Sequence, residues 1–347
     1  MHRSTGSAPG SSPAPDPSSA LTRPAAPVLD VRGLRVAAHG GDIVRGVDLA
    51  IAEGEICGVI GESGCGKTTL GLAVAGLLGR DRSIVAGEVR FRGDVIADAG
   101  VDRVGPLRGT RIAYVPQDPF GAFDPLRRVG PQVARPLRLH RGLDRGAAET
   151  EAIRLLARLG VPEPEGAARR FPHEFSGGML QRAAIAAALA CRPDLVIADE
   201  PTSALDVIVR GQVLGAFLDL VTELRSSVLI VTHDLGILRS VASRVATMYA
   251  GAIVEEGPAS EVLDAPWHPY PAALLASSVA ASARGSRLVG IDGQPPTLPG
   301  ALEPCAFAPR CPRADARCRA EQPALAAIAG GTGRTVACHH PLVGSDA

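Results

Sequence analysis

The residues with the clearest chemical purpose are Gly61, Glu62, Ser63, Gly64, Cys65, Gly66, Lys67 and Thr68, which fit the pattern G-x-x-x-x-G-K-[ST]. Glycines at 61, 64 and 66 let the backbone take positive φ, so successive N–H groups can converge on phosphate oxygens. A helix starting behind them adds partial positive charge. Lys67 would reach the β- and γ-phosphates as a point charge, Thr68 would ligate Mg2+, and Thr69 opens the helix that follows. The chemistry implied is binding of a nucleoside triphosphate. A second group lies in Leu195–Glu200, an apolar run ending in the adjacent carboxylates Asp199 and Glu200. One carboxylate can hold the metal through water while the other orients and deprotonates an attacking water. A third is Ser176, Gly177 and Gly178, where a serine suited to cap a helix and two glycines form a candidate second anion site. A fourth is a set of cysteines, Cys305, Cys311, Cys318 and Cys338, which holds four of the chain's seven.

The clustering of these four within 34 residues calls for a ligand, and in a cytosolic protein, where disulfides are disfavoured, metal is the leading account. Their spacing, C-x5-C-x6-C-x19-C, lacks the two short knuckles of a zinc ribbon. Four thiolates suit a [4Fe–4S] cluster; zinc, with His339 and His340 as further donors, and free structural thiols are the alternatives. Cys57, Cys65 and Cys191 read as small apolar residues.

The elements that must position these groups follow from hydrophobic period. Ile56–Ile60 reads as a buried parallel strand feeding the glycine loop, and Thr69–Leu78 as the helix behind it. Val28–Arg32, Leu34–Val36, Val47–Ile51 and Gly87–Gly93 alternate as half-exposed strands, which suggests a small antiparallel sheet beside a parallel core. Arg111–Val115 is a strand leading to a loop with Gln117. From there to Pro172 apolar residues recur at three and four, as in Thr150–Leu159, so a helical insertion of about residues 118–190 is expected. A helix is expected from about Met179 to Cys191, and a late strand, Val228–Thr232, ends at His233. Residues 1–27 are rich in Pro, Ser, Ala and Gly with no signal-peptide core, and read as a disordered tail. The 36 Lys+Arg balance 36 Asp+Glu in 347 residues, so no basic excess points to nucleic acid. No apolar run reaches the ~18–20 residues of a membrane span, so any membrane role requires a partner.

In order, phosphate loop, Gln117 loop, Ser-Gly-Gly, Asp199-Glu200, Ser203-Ala204-Leu205-Asp206 and His233 resemble the ATP-binding cassette of ABC transporters over about residues 28–265. The resemblance implies that Gly61–Thr69 bind ATP and that Gln117 contacts Mg2+ and the attacking water. It further implies that Asp199 is metal-associated, Glu200 the general base, His233 the γ-phosphate switch, and Asp206 part of a loop crossing between protomers. Ser176–Gly178 of one protomer would close on the γ-phosphate held by another. Two positions depart from the family: Met179 stands where Gln is usual, and no Phe or Tyr lies near Val36–His39 to stack on adenine.

Residues 266–347, with Pro266–Pro271 and Pro304–Pro312, resemble the extension of oligopeptide/dipeptide importer ATP-binding subunits. That resemblance implies a [4Fe–4S] cluster on the four cysteines. It also implies a second, non-identical ATPase, two membrane permease subunits, an external substrate-binding protein, and a place on the cytoplasmic face of the membrane. The fold expected is an α/β P-loop NTPase with a parallel core sheet, an antiparallel β-subdomain, a helical subdomain and a Cys-containing extension. A nickel-importer ATPase resembles the signature Phe175–Arg182 as closely, while the Cys-bearing extension favours peptides. A non-transport cassette ATPase fits less well, since the chain has one cassette and about 60 residues between Gln117 and Ser176. A module that binds without hydrolysing ATP would not need Glu200 and His233.

Overall fold

The computed structural model of the protein describes residues 27–202, 205, 207–277, 290–328 and 333–342. Residues 1–26 of the expected tail, and Asp206, lie outside the described residues.

Two sheets organise the fold. The smaller is antiparallel, with β1 (Leu29–Ala38), β2 (Gly41–Ile51), β4 (Ser83–Phe91) and β5 (Asp94–Asp98) in the order β2-β1-β4-β5. Val47, Leu49 and Ile51 of β2 alternate into its core, as the two-residue period requires. The larger sheet has a parallel centre in the order β9-β3-β8-β7-β6: β3 (Ile56–Ile60), β6 (Ile112–Val115), β7 (Leu195–Asp199), β8 (Ser227–Val231) and β9 (Arg244–Tyr249). Every residue of β7 and β8 is buried, so these strands are continuous apolar runs rather than alternating ones.

Helices carry the chain between the parallel strands. α1 (Lys67–Val74) follows β3, and α2 (Val129–Arg141), α3 (Arg145–Arg158), the single turn α4 (Pro164–Ala167) and α5 (Gly177–Leu189) lie between β6 and β7. In α3 the Asp144 carboxylate caps the first turn by accepting from the Ala147 N–H at 2.9 Å. Its Ala148, Ala152, Leu155 and Leu156 then form one buried stripe against α2 and α5. α6 (Val207–Leu224) and α7 (Leu235–Val241) flank β8.

Several boundaries differ from the sequence expectation: α1 spans Lys67–Val74 rather than Thr69–Leu78, β1 is one strand over Leu29–Ala38, and β2 begins at Gly41 rather than Val47. β4 begins at Ser83 rather than at Gly87 and turns directly into β5. α5 begins at Gly177, two residues early, because the Ser176 cap draws both glycines into the first turn.

The C-terminal region is woven into the larger sheet. β10 (Ala252–Pro258) runs antiparallel to β9, and β12 (Thr335–Val336) pairs with it, Glu255 opposite Val336, with β11 (Ala326–Ala327) outside. α8 (Ala259–Asp264), α9 (Pro269–Ala276) and α10 (Ala316–Ala320) complete it. An aromatic cluster of Tyr249, Tyr270 and Phe307, with ring centroids 4.5–5.4 Å apart, fastens this region to β9. Among the described residues no helix is long and apolar enough to cross a membrane.

Candidate nucleotide site

β3 delivers the chain into the glycine loop at Gly61, whose φ of +153° and closeness to the Met248 carbonyl exclude a side chain: a Cβ there would lie 2.2 Å from that oxygen. Gly66, at φ +106°, is the N-cap of α1 and offers no capping side chain, so the first-turn N–H groups of α1 are directed at whatever occupies the loop. Lys67 is buried, and its Nζ donates to the Gly61 carbonyl at 2.8 Å and the Glu62 carbonyl at 2.9 Å. The loop thus curls around its own ammonium.

Thr68 turns the other way, its hydroxyl donating to Asp199 Oδ1 at 3.2 Å, while the Tyr114 hydroxyl donates to Asp199 Oδ2 at 2.9 Å. Asp199 is 1% exposed, and burial raises its pKa above the ordinary carboxylate range against the opposing pull of those two hydrogen bonds. Glu200, the next residue, leaves the strand at φ +48° with its N–H held by the Val231 carbonyl at 2.8 Å. That left-handed residue turns its carboxylate to His233, whose Nδ1 lies 2.7 Å from Glu200 Oε1. The adjoining β3, β7 and β8 therefore bring Lys67, Thr68, Asp199, Glu200 and His233 to one end of the parallel centre.

The other expected residues sit around this end. Gln117 is exposed, two residues beyond β6. Ser176 is exposed on the helical layer, and its hydroxyl accepts from the Met179 N–H at 3.3 Å, which caps α5. Gly178 packs close to Leu205 and Val209, so a Cβ would come within 3.0 Å of Val209. Arg210, one turn beyond the undescribed Asp206, pairs with Asp234 at 2.8 Å and donates to the Leu205 carbonyl, tying α6 to the residue after His233. His39 is exposed at the β1–β2 turn. Tyr114 had no role in the sequence reading. The signal for it was a single hydroxyl in an otherwise apolar strand three residues before Gln117.

The four cysteines gather from three segments. Cys305, Cys311, Cys318 and Cys338 line one small pocket with Phe307, His339 and His340, and all are free thiols. Burial raises the thiol pKa of Cys305, Cys311 and Cys338, the last to about 11. Among the described residues, one set of three donors has ligand atoms all within 4.8 Å of one another, and it is Asp315, Cys318 and His340.

A glycine loop closing on a lysine at the start of α1, with an Asp-Glu strand end and a histidine beside it, defines a P-loop ATPase of the ATP-binding cassette class. Residues 44–203 match the family described as ABC transporter, and residues 254–318 match the oligopeptide/dipeptide transporter C-terminal region. A solved dimeric ATP-binding cassette, in a post-hydrolysis state bound to ADP and Pi, superposes with a TM-score of 0.59 at 27% identity, over 67% of this chain and 98% of that one. A probable peptide ABC transporter ATP-binding protein of Sinorhizobium fredii is 40% identical over 88% of this chain and 92% of its own length. The oligopeptide transport ATP-binding protein of Salmonella typhimurium is 38% identical over 92% and 96%. The dipeptide transport ATP-binding protein of Escherichia coli is 36% identical over 89% and 95%. The chain belongs to the ATP-binding subunits of the oligopeptide/dipeptide ABC transporter family.

Proposed function

We propose that the protein hydrolyses ATP to drive import of di- or oligopeptides through two separate permease subunits, from the cytoplasmic face of the membrane. A second, non-identical ATPase completes the pair, and an external binding protein delivers the substrate. The observation that carries this reading is the co-occurrence, on one chain, of the cassette match and the oligopeptide/dipeptide C-terminal match. Its units are a cassette of residues 28–265, a helical subdomain at about 118–190 within it, and an extension at 266–347.

In this reading the loop Gly61–Thr69 and Lys67 hold the triphosphate, and Ser176–Gly178 of the partner cassette close over its γ-phosphate. Thr68, Gln117 and Asp199 would hold Mg2+, which would neutralise charge developing on the phosphates. The donor set fits that ion, since two oxygen groups, the Thr68 hydroxyl and the Asp199 carboxylate, already meet at 3.2 Å. Glu200 orients a water and takes its proton as the new P–O bond forms at the γ-phosphorus. The bond to the β-phosphate oxygen breaks, leaving ADP and phosphate. His233, held by Glu200, contacts the γ-phosphate, and Asp206 belongs to the loop that passes between cassettes. Loss of the γ-phosphate contacts then frees the two cassettes to separate.

The four cysteines are proposed to hold a [4Fe–4S] cluster, which would give the extension a rigid centre. The convergence of the four free thiols on one pocket supports this. Zinc is the second reading, favoured by the closer set Asp315, Cys318 and His340. Metal analysis of anaerobically purified protein distinguishes them: iron with acid-labile sulfide, lost in Cys311→Ser, against one zinc lost in His340→Ala.

The transport reading is tested by uptake in cells lacking this gene, with labelled di- and oligopeptides and labelled nickel in parallel and Lys67→Ala as the inactive control. Peptide uptake restored only by the wild type is the expected result. Loss of nickel uptake with peptides unaffected would reassign the cargo.

A further inference from the structure

Glu62, the second residue of the phosphate loop, is held at all three of its polar groups. Its carbonyl accepts from Lys67 Nζ. Its N–H donates to the Tyr270 hydroxyl at 2.7 Å, and its carboxylate receives Arg310 Nη1 at 2.6 Å and Nη2 at 3.1 Å. Both outside partners belong to the C-terminal extension, 208 and 248 residues along the chain. Arg310 is itself fixed. Its side chain is 4% exposed, its Nε donates to the Asp292 carbonyl at 2.9 Å, and its guanidinium lies about 6 Å from the ring centres of Tyr249 and Phe307. A bidentate guanidinium–carboxylate pair held this way has little freedom to reorient.

We propose that Arg310 and Tyr270 are positioning residues of the nucleotide site, acting on ATP through Glu62. The inference rests on the assignment of Gly61–Thr69 as the triphosphate loop. Two effects follow from the geometry. Arg310 neutralises a carboxylate that would otherwise stand as a free negative charge in a loop built to receive phosphates. By fixing Glu62 it also sets one of the two carbonyls that hold Lys67 before nucleotide arrives. Arg310 immediately precedes Cys311 and ends the short 3-10 turn Ala308–Arg310, so the segment that bears the cysteines is mechanically joined to the loop that binds ATP.

The test is a double-mutant cycle on the full chain, reading KM for ATP, kcat, equilibrium binding of a fluorescent ATP analogue and melting temperature. Arg310→Met is expected to raise KM and weaken binding roughly three- to tenfold with kcat within about twofold, and Arg310→Lys to recover part of the loss. In a Glu62→Gln background the same Arg310→Met change is expected to have little further effect, because the charge it neutralised is gone. Tyr270→Phe, which removes only the hydroxyl, gives the same sign and keeps the test open should Arg310→Met fold poorly. A melting temperature that falls while KM stays at the wild-type value in Arg310→Met or Tyr270→Phe overturns the proposal. So does an Arg310→Met effect that persists in full without Glu62. If Lys67→Ala leaves nucleotide binding intact, the phosphate-loop assignment itself is wrong; if Lys67→Ala abolishes binding and Arg310→Met does nothing, only the present inference fails.

Discussion

Asp199 and Glu200 are neighbours with the same acidic chemistry, both buried, and different hydrogen-bond partners. Asp199 is sealed between the Thr68 and Tyr114 hydroxyls at the end of a buried strand, a place for a carboxylate that binds and does not move. Glu200 is turned out of the strand by its positive φ, and its carboxylate, itself 11% exposed, meets a histidine whose side chain is 66% exposed. A positioned general base contributes roughly 10²–10⁴ in rate. Glu200→Gln keeps the shape and a hydrogen-bonding oxygen for His233 but cannot take a proton. It is therefore expected to bind ATP with near wild-type affinity and to lower single-turnover hydrolysis by about that factor. Turnover at the wild-type rate would remove Glu200 from the base role.

At the scale of strands, β10 carries an unusual load, because Glu255 and Glu256 are both buried in it. Glu256 shares one guanidinium, Arg244, with Glu55, and its second oxygen has no partner. Burial raises its pKa from the ordinary 4.5 to about 7, against the opposing pull of Arg244 and reinforced by the charges of Glu55 and Asp48. The folded chain then binds a proton that the unfolded chain has released between about pH 4.5 and 7, so this residue's contribution to stability falls as pH rises through that window. Glu256→Gln removes the titration and leaves Arg244 paired with Glu55. Relative to wild type it is expected to gain stability as pH rises from 5 to 8, on the order of 1–3 kcal/mol at the top. Denaturant midpoints across that range check it, and a pH-independent difference would refute it. The same strand shows where sequence reading stops. β3, β7 and β8 were legible because buried parallel strands are continuous apolar runs bounded by turn residues, and the motif residues stand at their ends. β12 has two residues beside a glycine-rich stretch and no period to detect, so its pairing with β10 could not be foreseen. Nor could the Arg310–Glu62 pair, since a contact across 248 residues leaves no local trace.

Across the whole molecule the exposed apolar surface is unevenly spread. Four large hydrophobic side chains among the described residues are exposed, and three of them, Phe120, Leu126 and Leu139, fall between the Gln117 loop and the end of α2. Single exposed hydrophobics need no explanation, but a group on one segment marks a surface that expects a partner. Phe123, of the same loop, is buried and belongs to the core. Leu139 lines a groove there with Tyr114, Arg135 and Pro116, and Tyr114 also holds Asp199. A permease segment seated in this groove would therefore lie one side chain away from Asp199, the carboxylate proposed to hold Mg2+, and would have a physical route to the proposed nucleotide site. Leu126 is 85% exposed, so Leu126→Asp removes almost no buried area and is expected to change stability by no more than about 0.5 kcal/mol. It would, however, place a charge where an apolar contact should form, and a charge left unpaired in a dry interface is strongly unfavourable. The expected outcome is a protein that melts as wild type and binds ATP, yet fails to co-purify with the permeases and supports little peptide uptake. Normal uptake by Leu126→Asp would move the docking surface away from this segment.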